Sequence, residues 1–521
     1  MPANHPLALI TTEEVTAAVA AVQADPRCPG GARYAHVRLH EPTKSALAAW
    51  SPGAPVARAA EVLVVPPDAC DVIEVVVDLD AATVRDWTIV PGEHPALLFG
   101  ESMRIVEAIK AHPEWQAAMA RRGITDLTHV QIDPWPAGSF DSPHEAGRRL
   151  TRAITYLRDS ATANGYARPV EGLLVYGDLG AGEVVEVVDY GVVPVPTDPG
   201  SYFPADHEPL RTDLKPLEIV QPEGPSFRVD GNLVEWGRWS LRVGFDPYEG
   251  LVLHQVTYHD GDRARPVLYR ASVTEMVVPY GDPGPMQGWK NAFDAGEWGL
   301  GRMANSLKLG CDCLGEIFYF DAVMTFDDGS PYTVENAICM HEEDFGILWK
   351  HNDMHAGTNE VRRSRRLVVS FISTVGNYEY GFYWYLYLDG NVQLEVKLTG
   401  IVSTMGIEPG TTPAFANVVA PGLAAAHHQH LFSARLDLDV DGATNSVYEV
   451  DAEVIPPGPD NPWSNAFRPR ATRLDTEQQA IRDVDASVSR TWRFVNEHSR
   501  NHLGQPVGYK LIPTVATPTM L

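Results

Sequence analysis

Hydrophobic and polar positions divide the chain into two textures. Up to about residue 205, helical and strand-like runs alternate. Beyond it, short alternating runs are cut by Gly, Pro and Asp turns, and long helical periodicity disappears. The run VTAAVAAVQA follows Thr11-x-x-Glu14, a spacing that lets the Thr hydroxyl and the Glu carboxylate cap each other's backbone N–H. It predicts a helix that stops near Asp25-Pro26. EVLVVPP (61–67) and DVIEVVVDL (71–79) are β-branched runs bounded by turn formers, and they predict strands. The order then recurs. Residues 101–123 have helical periodicity, with Pro113 where a second helix could start and Gly123 where it could stop. THVQIDPW (128–135) and EVVEVVDYGVVPV (183–195) predict strands on either side of a third helix, HEAGRRLTRAITYLRDSATANG (144–165).

In the second texture, residues 367–404 predict two long strands around Asp389-Gly390. LFSARLDLDVDG (431–442) alternates strictly, and VIPPGPDNPWSN (454–465) is a Pro-rich loop tip. The predicted fold class is therefore α+β. Two small modules, 8–94 and 95–205, precede a large antiparallel β-sandwich over 206–521.

Composition narrows the picture. The chain has 521 residues, 44% of them apolar and 21% charged, as expected of a folded globular protein. A net charge of −27 argues against nucleic acid and anionic membrane as partners. No apolar run is long enough to span a bilayer, and MPANHPLALITTEEV lacks the features of a signal peptide. The expected location is cytoplasmic. Five cysteines are too few for a disulfide scaffold, and Cys28 and Cys70 are expected to pack as small apolar residues.

Two motifs carry chemistry. In His427-His428-Gln429-His430, residues i and i+2 of a strand share a face, so His428 and His430 could chelate one metal while His427 points away. The competing interpretation is a solvated histidine cluster, and two imidazoles alone do not complete a usual site. A cupin-like centre also uses H-x-H, but it needs a Glu soon after the second His, and LFSARLDLDVDG has none. The second motif is Asn377-Tyr378-Glu379-Tyr380, an aromatic strand entered through a Gly-Asn kink, about fifty residues ahead of the histidines. Asp437, Asp439 and Asp441 mimic the start of an EF-hand loop, but Tyr448 stands where the bidentate Glu belongs. His341-Glu342-Glu343-Asp344 is expected to be a solvated loop, and the basic run 362–366 an interface or solvated face.

The Asn-Tyr-acidic-Tyr and H-x-H motifs together resemble the copper amine oxidases. VVPYGDP (277–283), NAFDAGEWGLG (291–301), LGCDCLG (309–315), ICMHEED (338–344), GFYWYLYLDG (381–390) and HQHLFSARLD (428–437) also look like segments of that family, in family order. The resemblance implies that Tyr378 is the precursor of topaquinone, that Asn377 flanks it, and that His428 and His430 bind copper. It implies that Asp294 is the catalytic base and that Tyr280 hydrogen-bonds the quinone. The implied reaction is oxidative deamination of a primary amine by dioxygen, through a topaquinone Schiff base. Its products are an aldehyde, ammonia and hydrogen peroxide. Further implications are a calcium-type ion at Asp437, Leu438 and Asp439, a Cys313–Cys339 disulfide, and a homodimer with hairpin arms. Relatives carry a third copper histidine in an H-x-P-x-x-E-D-W-P segment that is not found among these 521 residues. His498 and His502 are not expected to replace it. The expectation is of a chain that is C-terminally truncated relative to the family, leaving Tyr378 unmodified when expressed alone. The alternative function is an inactive or incomplete relative that keeps the fold and the dimer. A bulky Tyr guards the substrate channel of many bacterial relatives, two residues before the base. Ala292 holds that position here, so a wider entrance is expected.

Overall fold

The computed structural model describes residues 5–67, 71–140, 143–145, 147–207 and 211–513. Cys70 lies outside them. Most of the described chain is antiparallel sheet with few helices, as the α+β fold class required. Among the described residues no helix is long and apolar enough to cross a membrane.

The first helix, Thr12–Ala24, has the reciprocal cap: Thr11 Oγ1 accepts the Glu14 N–H at 3.2 Å, and Glu14 Oε2 accepts the Thr11 N–H at 3.0 Å. Val15, Ala18, Val19 and Val22 form one face of it. They pack on Val37, Val62, Val64, Val75 and Val77 of a four-stranded sheet. Cys28 is half-buried at the margin of this core.

The helices Phe99–Ala111 and Pro113–Arg121 meet at Pro113, and Gly123 follows with φ +76°. They cover a second four-stranded sheet, and Trp115, fully buried, donates its indole N–H to Thr155 Oγ1 at 3.2 Å. Trp115→Ala is expected to cost about 4 kcal/mol through the cavity it leaves. A fall in melting temperature of the purified protein would measure it.

The third predicted helix is wrong. Residues 150–157 are a strand, paired with Val130–Pro136 on one side and Pro169–Asp178 on the other. Both of its faces are buried. Ala153 faces the helices, while Ile154 and Tyr156 pack with Met286 and Trp289. A strand buried on both faces loses its alternation, and its apolar run then reads like a helix.

The chain forms two compact units. One comprises 1–225, 244–251 and 273–433; the other comprises 226–243, 252–272 and 434–521. The first holds a five-stranded antiparallel sheet in the order Phe318–Thr325, Pro331–Asp353, Thr358–Val375, Tyr378–Tyr387, Val392–Gly400. The predicted pair of strands over 367–404 is thus parts of three. Val375 pairs with Tyr378 across a two-residue turn at Gly376-Asn377, with Gly376 at φ +60°. That positive φ suits glycine at the first central position of a tight hairpin. In the second unit, Ser446–Val454, Phe467–Leu474, Thr491–Arg500 and Pro506–Leu511 form a four-stranded sheet.

Candidate active site

Tyr378 begins its strand directly after the Gly376-Asn377 turn. Asn377 fixes that turn: its Nδ2 donates to the Ile401 carbonyl at 2.6 Å, and its own carbonyl accepts the Ile401 N–H at 2.7 Å. Gly400, at φ +91°, leaves the space. A Cβ there would lie 2.8 Å from both Asn377 O and Glu379 N. The acidic member of the motif, Glu379, accepts the Thr374 hydroxyl at 2.7 Å.

The Tyr378 phenol oxygen lies 2.8 Å from His428 Nε2 and accepts the Ser403 N–H at 3.1 Å. His428 Nδ1 faces the Ala426 carbonyl at 2.8 Å, which places its proton on Nδ1 and leaves the Nε2 lone pair toward Tyr378. The His430 ring centroid is 4.9 Å from that of His428, and His430 Nδ1 is 3.2 Å from the Tyr380 hydroxyl. His427 is exposed, whereas His428 and His430 are half-buried. Burial pushes both inner imidazoles below their ordinary pKa, His430 to about 4. They are therefore neutral at ordinary pH, the form in which imidazole binds a metal.

Tyr280 closes one side. Its ring stacks on His428, centroids 4.9 Å apart and 20° from parallel. The Gly281 N–H donates to the His427 carbonyl at 2.7 Å, tying that segment to the histidines. Asp294 enters from a short strand, Asn291–Phe293, paired with the end of Arg263–Pro279. It opens a π-helical turn, Asp294–Trp298, in which the Gly299 N–H returns to the Asp294 carbonyl at 3.1 Å. Such turns concentrate at functional sites. Asp294 is only 3% exposed. Burial, with Glu297 and Glu275 nearby, holds its carboxyl well above the usual carboxylate range.

Asp294 and Tyr378 line a cavity of about 520 Å³, together with Leu97, Trp135, Ala292 and Trp298. The Leu97 N–H donates to the Glu297 carbonyl at 2.8 Å, and Arg302 Nη1 donates to the Leu97 carbonyl at 3.0 Å. The segment before the helix Phe99–Ala111 is therefore bonded to the turn that carries Asp294. Leu97, Trp135 and Tyr166, all from the N-terminal 205 residues, were not identified from sequence. Nothing in their local pattern marks them as cavity residues.

The donor set suits copper. Two neutral imidazoles lie side by side, and a main-chain carbonyl fixes the tautomer of one, as for metal-bound histidines in general. Among the described residues no group of three or more His, Cys, Asp and Glu is placed to hold a metal. The other sequence candidates lie elsewhere. Asp437 and Leu438 end the strand Leu431–Leu438, and the Asp439 N–H donates to the Val267 carbonyl at 2.9 Å. Cys313 and Cys339 share a buried cluster with Leu307 as free thiols, so the expected disulfide is not formed in this structure. His341–Asp344 is not a solvated loop. It lies within the strand Pro331–Asp353, with His341 and Glu342 buried. Glu342, Glu343 and Asp344 pair with Arg365, Arg366 and Arg363 on the neighbouring strand, so the basic run is neutralised within the chain.

Comparison with known proteins gives the family. Residues 228–521 match the copper amine oxidase enzyme domain, 101–205 the copper amine oxidase N3 domain, and 11–87 the AGAO-like N2 domain. A primary amine oxidase of Arthrobacter sp. (strain P1) is 48% identical over 98% of this chain and 78% of its own length. A histamine oxidase of Arthrobacter globiformis is 47% identical over 99% of this chain and 76% of its own. The crystal structure of a copper-containing benzylamine oxidase from Hansenula polymorpha superposes with a TM-score of 0.87 at 29% identity, covering 97% of this chain and 82% of that one. These likenesses favour an active oxidase over an inactive relative. The chain belongs to the copper amine oxidase family, whose copper and topaquinone serve the oxidative deamination of a primary amine by dioxygen to an aldehyde, ammonia and hydrogen peroxide.

Proposed function

We propose that Tyr378 is the topaquinone precursor, that His428 and His430 hold the copper, and that Asp294 is the base of amine oxidation. The observation that carries this is the 2.8 Å contact between the Tyr378 oxygen and His428 Nε2, on a cavity that also exposes a buried carboxyl. When bound, copper and the quinone supply the electrophile and the electron path to dioxygen. The chain's own residues do the rest. The aromatic cavity wall excludes water and orients the amine. The ionised Asp294 removes a proton from the amine's α-carbon, a role that suits a carboxyl that burial holds well above the usual carboxylate range. Tyr280, held by its stacking on His428, would offer its hydroxyl to the cofactor oxygen. Asn377 anchors the turn that sets the direction of residue 378. Visible absorbance, a phenylhydrazine adduct and the peptide mass at residue 378 test the assignment. An active, copper-loaded enzyme with unmodified Tyr378 would refute it.

The proposed substrate is an arylalkyl amine, such as phenylethylamine, tyramine or histamine. An aromatic cavity of about 520 Å³ is far larger than a one-carbon amine requires, and at Ala292 only a methyl group faces it. Ala292→Tyr is expected to lower kcat/KM for a bulky arylamine by about tenfold while sparing methylamine, since one well-placed steric contact is worth roughly 1–3 kcal/mol. Unchanged selectivity would mean that Trp298, on the same wall, covers the opening instead.

The remaining features of the reading are a cytoplasmic enzyme without membrane or nucleic-acid partners, and a homodimer with an extensive interface. The modules would run over 8–94, 95–205 and 206–521. A calcium-type ion at Asp437, Leu438 and Asp439 completes it. The net charge of −27 supports the lack of nucleic-acid binding.

A further inference from the structure

The turn that carries Asp294 is fastened by two other carboxylates, neither of which has a part in the reaction described so far. Glu275, on the strand Arg263–Pro279, accepts the Ala295 N–H at Oε1 at 2.8 Å and the Gly296 N–H at Oε2 at 3.1 Å. These are the two residues that follow Asp294. Gly296 permits the approach, because a Cβ there would lie 3.1 Å from Glu275 Oε2. On the other side, Glu297 Oε2 accepts the N–H of Phe293, the residue before Asp294, at 2.8 Å. Any neutral oxygen could satisfy these N–H groups. Carboxylates also bring charge to a cavity wall, where low polarisability strengthens its effect.

We propose that Glu275 is a positioning residue for the base: its carboxylate seats the turn that carries Asp294 and places a negative charge beside it, setting the pH range in which the enzyme works. This rests on Asp294 being the base. Among the described residues no Lys, Arg or His forms an ion pair with the Glu275 carboxylate. Of the other charged residues lining the cavity, Arg302 donates to the Leu97 and Trp298 carbonyls, and Asp133 accepts from Gln131 at 2.8 Å. Glu297 on its own turn and the phenols of Tyr280, Tyr378 and Tyr380 also interact with Asp294. The raised carboxyl of Asp294, with Glu297 and Glu275 among its causes, agrees with this arrangement. So does Glu297, which burial pushes up to about 7.

The test is the pH dependence of kcat/KM for the copper-loaded enzyme and its Glu275→Gln, Glu275→Asp and Asp294→Asn variants. It is paired with infrared titration of the metal-free chain, using the protonated-carboxyl band that Asp294→Asn abolishes. Glu275→Gln keeps an oxygen acceptor but removes the charge. Its acid limb and its infrared titration are both expected to move about one pH unit lower, the usual effect of deleting a neighbouring like charge. Glu275→Asp keeps the charge and is expected to stay close to the native limb. A Glu275→Gln variant with reduced kcat but an unmoved limb and band would show a purely structural role and overturn the proposal. A Glu275→Asp limb displaced as far as that of Glu275→Gln would overturn the role of charge, and this variant still decides the question if Glu275→Gln does not fold. Retained turnover in Asp294→Asn would overturn the base assignment and this inference together. An inactive Asp294→Asn beside an unmoved Glu275→Gln limb overturns this inference alone.

Discussion

Asp294→Asn is expected to lower turnover by about a thousandfold, the scale of a lost general base, while the amine still binds. The amide has the shape of the carboxyl but cannot take up the proton. In the native enzyme, activity should rise with pH, because burial and the neighbouring carboxylates raise the Asp294 pKa and only the ionised form accepts a proton. Stability has the opposite sign. A carboxyl whose folded pKa is raised contributes stability that is fully present below its unfolded value of about 3.9 and lost as pH rises through the folded value. Replacing it with Asn removes that loss. The variant should therefore keep more of its melting temperature than the native protein on the alkaline side. Peroxide release and a melting series across pH check the two halves independently. Near-normal peroxide release would remove Asp294 from the role.

His428→Ala and His430→Ala are expected to weaken copper binding by well over a hundredfold each, since even partners of metal ligands are worth ten- to hundredfold. With copper lost, the residue-378 peptide should keep the mass of unmodified tyrosine after aerobic incubation with the metal. His427→Ala is the control, because His427 is exposed while the other two histidines are half-buried. A visible quinone band in either inner-histidine variant would show that copper does not depend on that ring. Equal loss in His427→Ala would show that the histidine segment acts as a whole.

The grouping of the candidate residues was largely legible in the sequence because they lie in short motifs. Spacing alone placed His428 and His430 together and His427 apart, and it did so although the stretch is irregular rather than a regular strand. Asp294 and Tyr280 were legible only through family resemblance, since one Asp before Ala-Gly and one Tyr before Gly have ordinary turn explanations. Glu275 was not legible at all. It is one acidic residue in SVTEMVV, and the N–H groups it holds lie twenty residues further on. The fold was misread where burial erased periodicity, in the strand Leu150–Leu157, and where a tight turn at Gly376-Asn377 was taken for a kink. His341–Asp344 was misread because its counter-ions belong to a different strand, which no local pattern records.

The paired hydrogen bonds of Leu97, to the Glu297 carbonyl and from Arg302, have an evolutionary consequence. The stretch around residue 97 lines the cavity proposed to receive the amine, and it grips the loop that carries Asp294, the proposed base. A new appetite for substrates gained by exchanging that stretch between relatives would therefore arrive with a disturbed base, and the newcomer would be slow until the loop had readjusted. Selectivity and speed are inherited together here. Laboratory chimeras that swap the stretch are expected to lose kcat on every amine, including small ones that never touch the exchanged wall, and to recover it through second-site changes between residues 293 and 302.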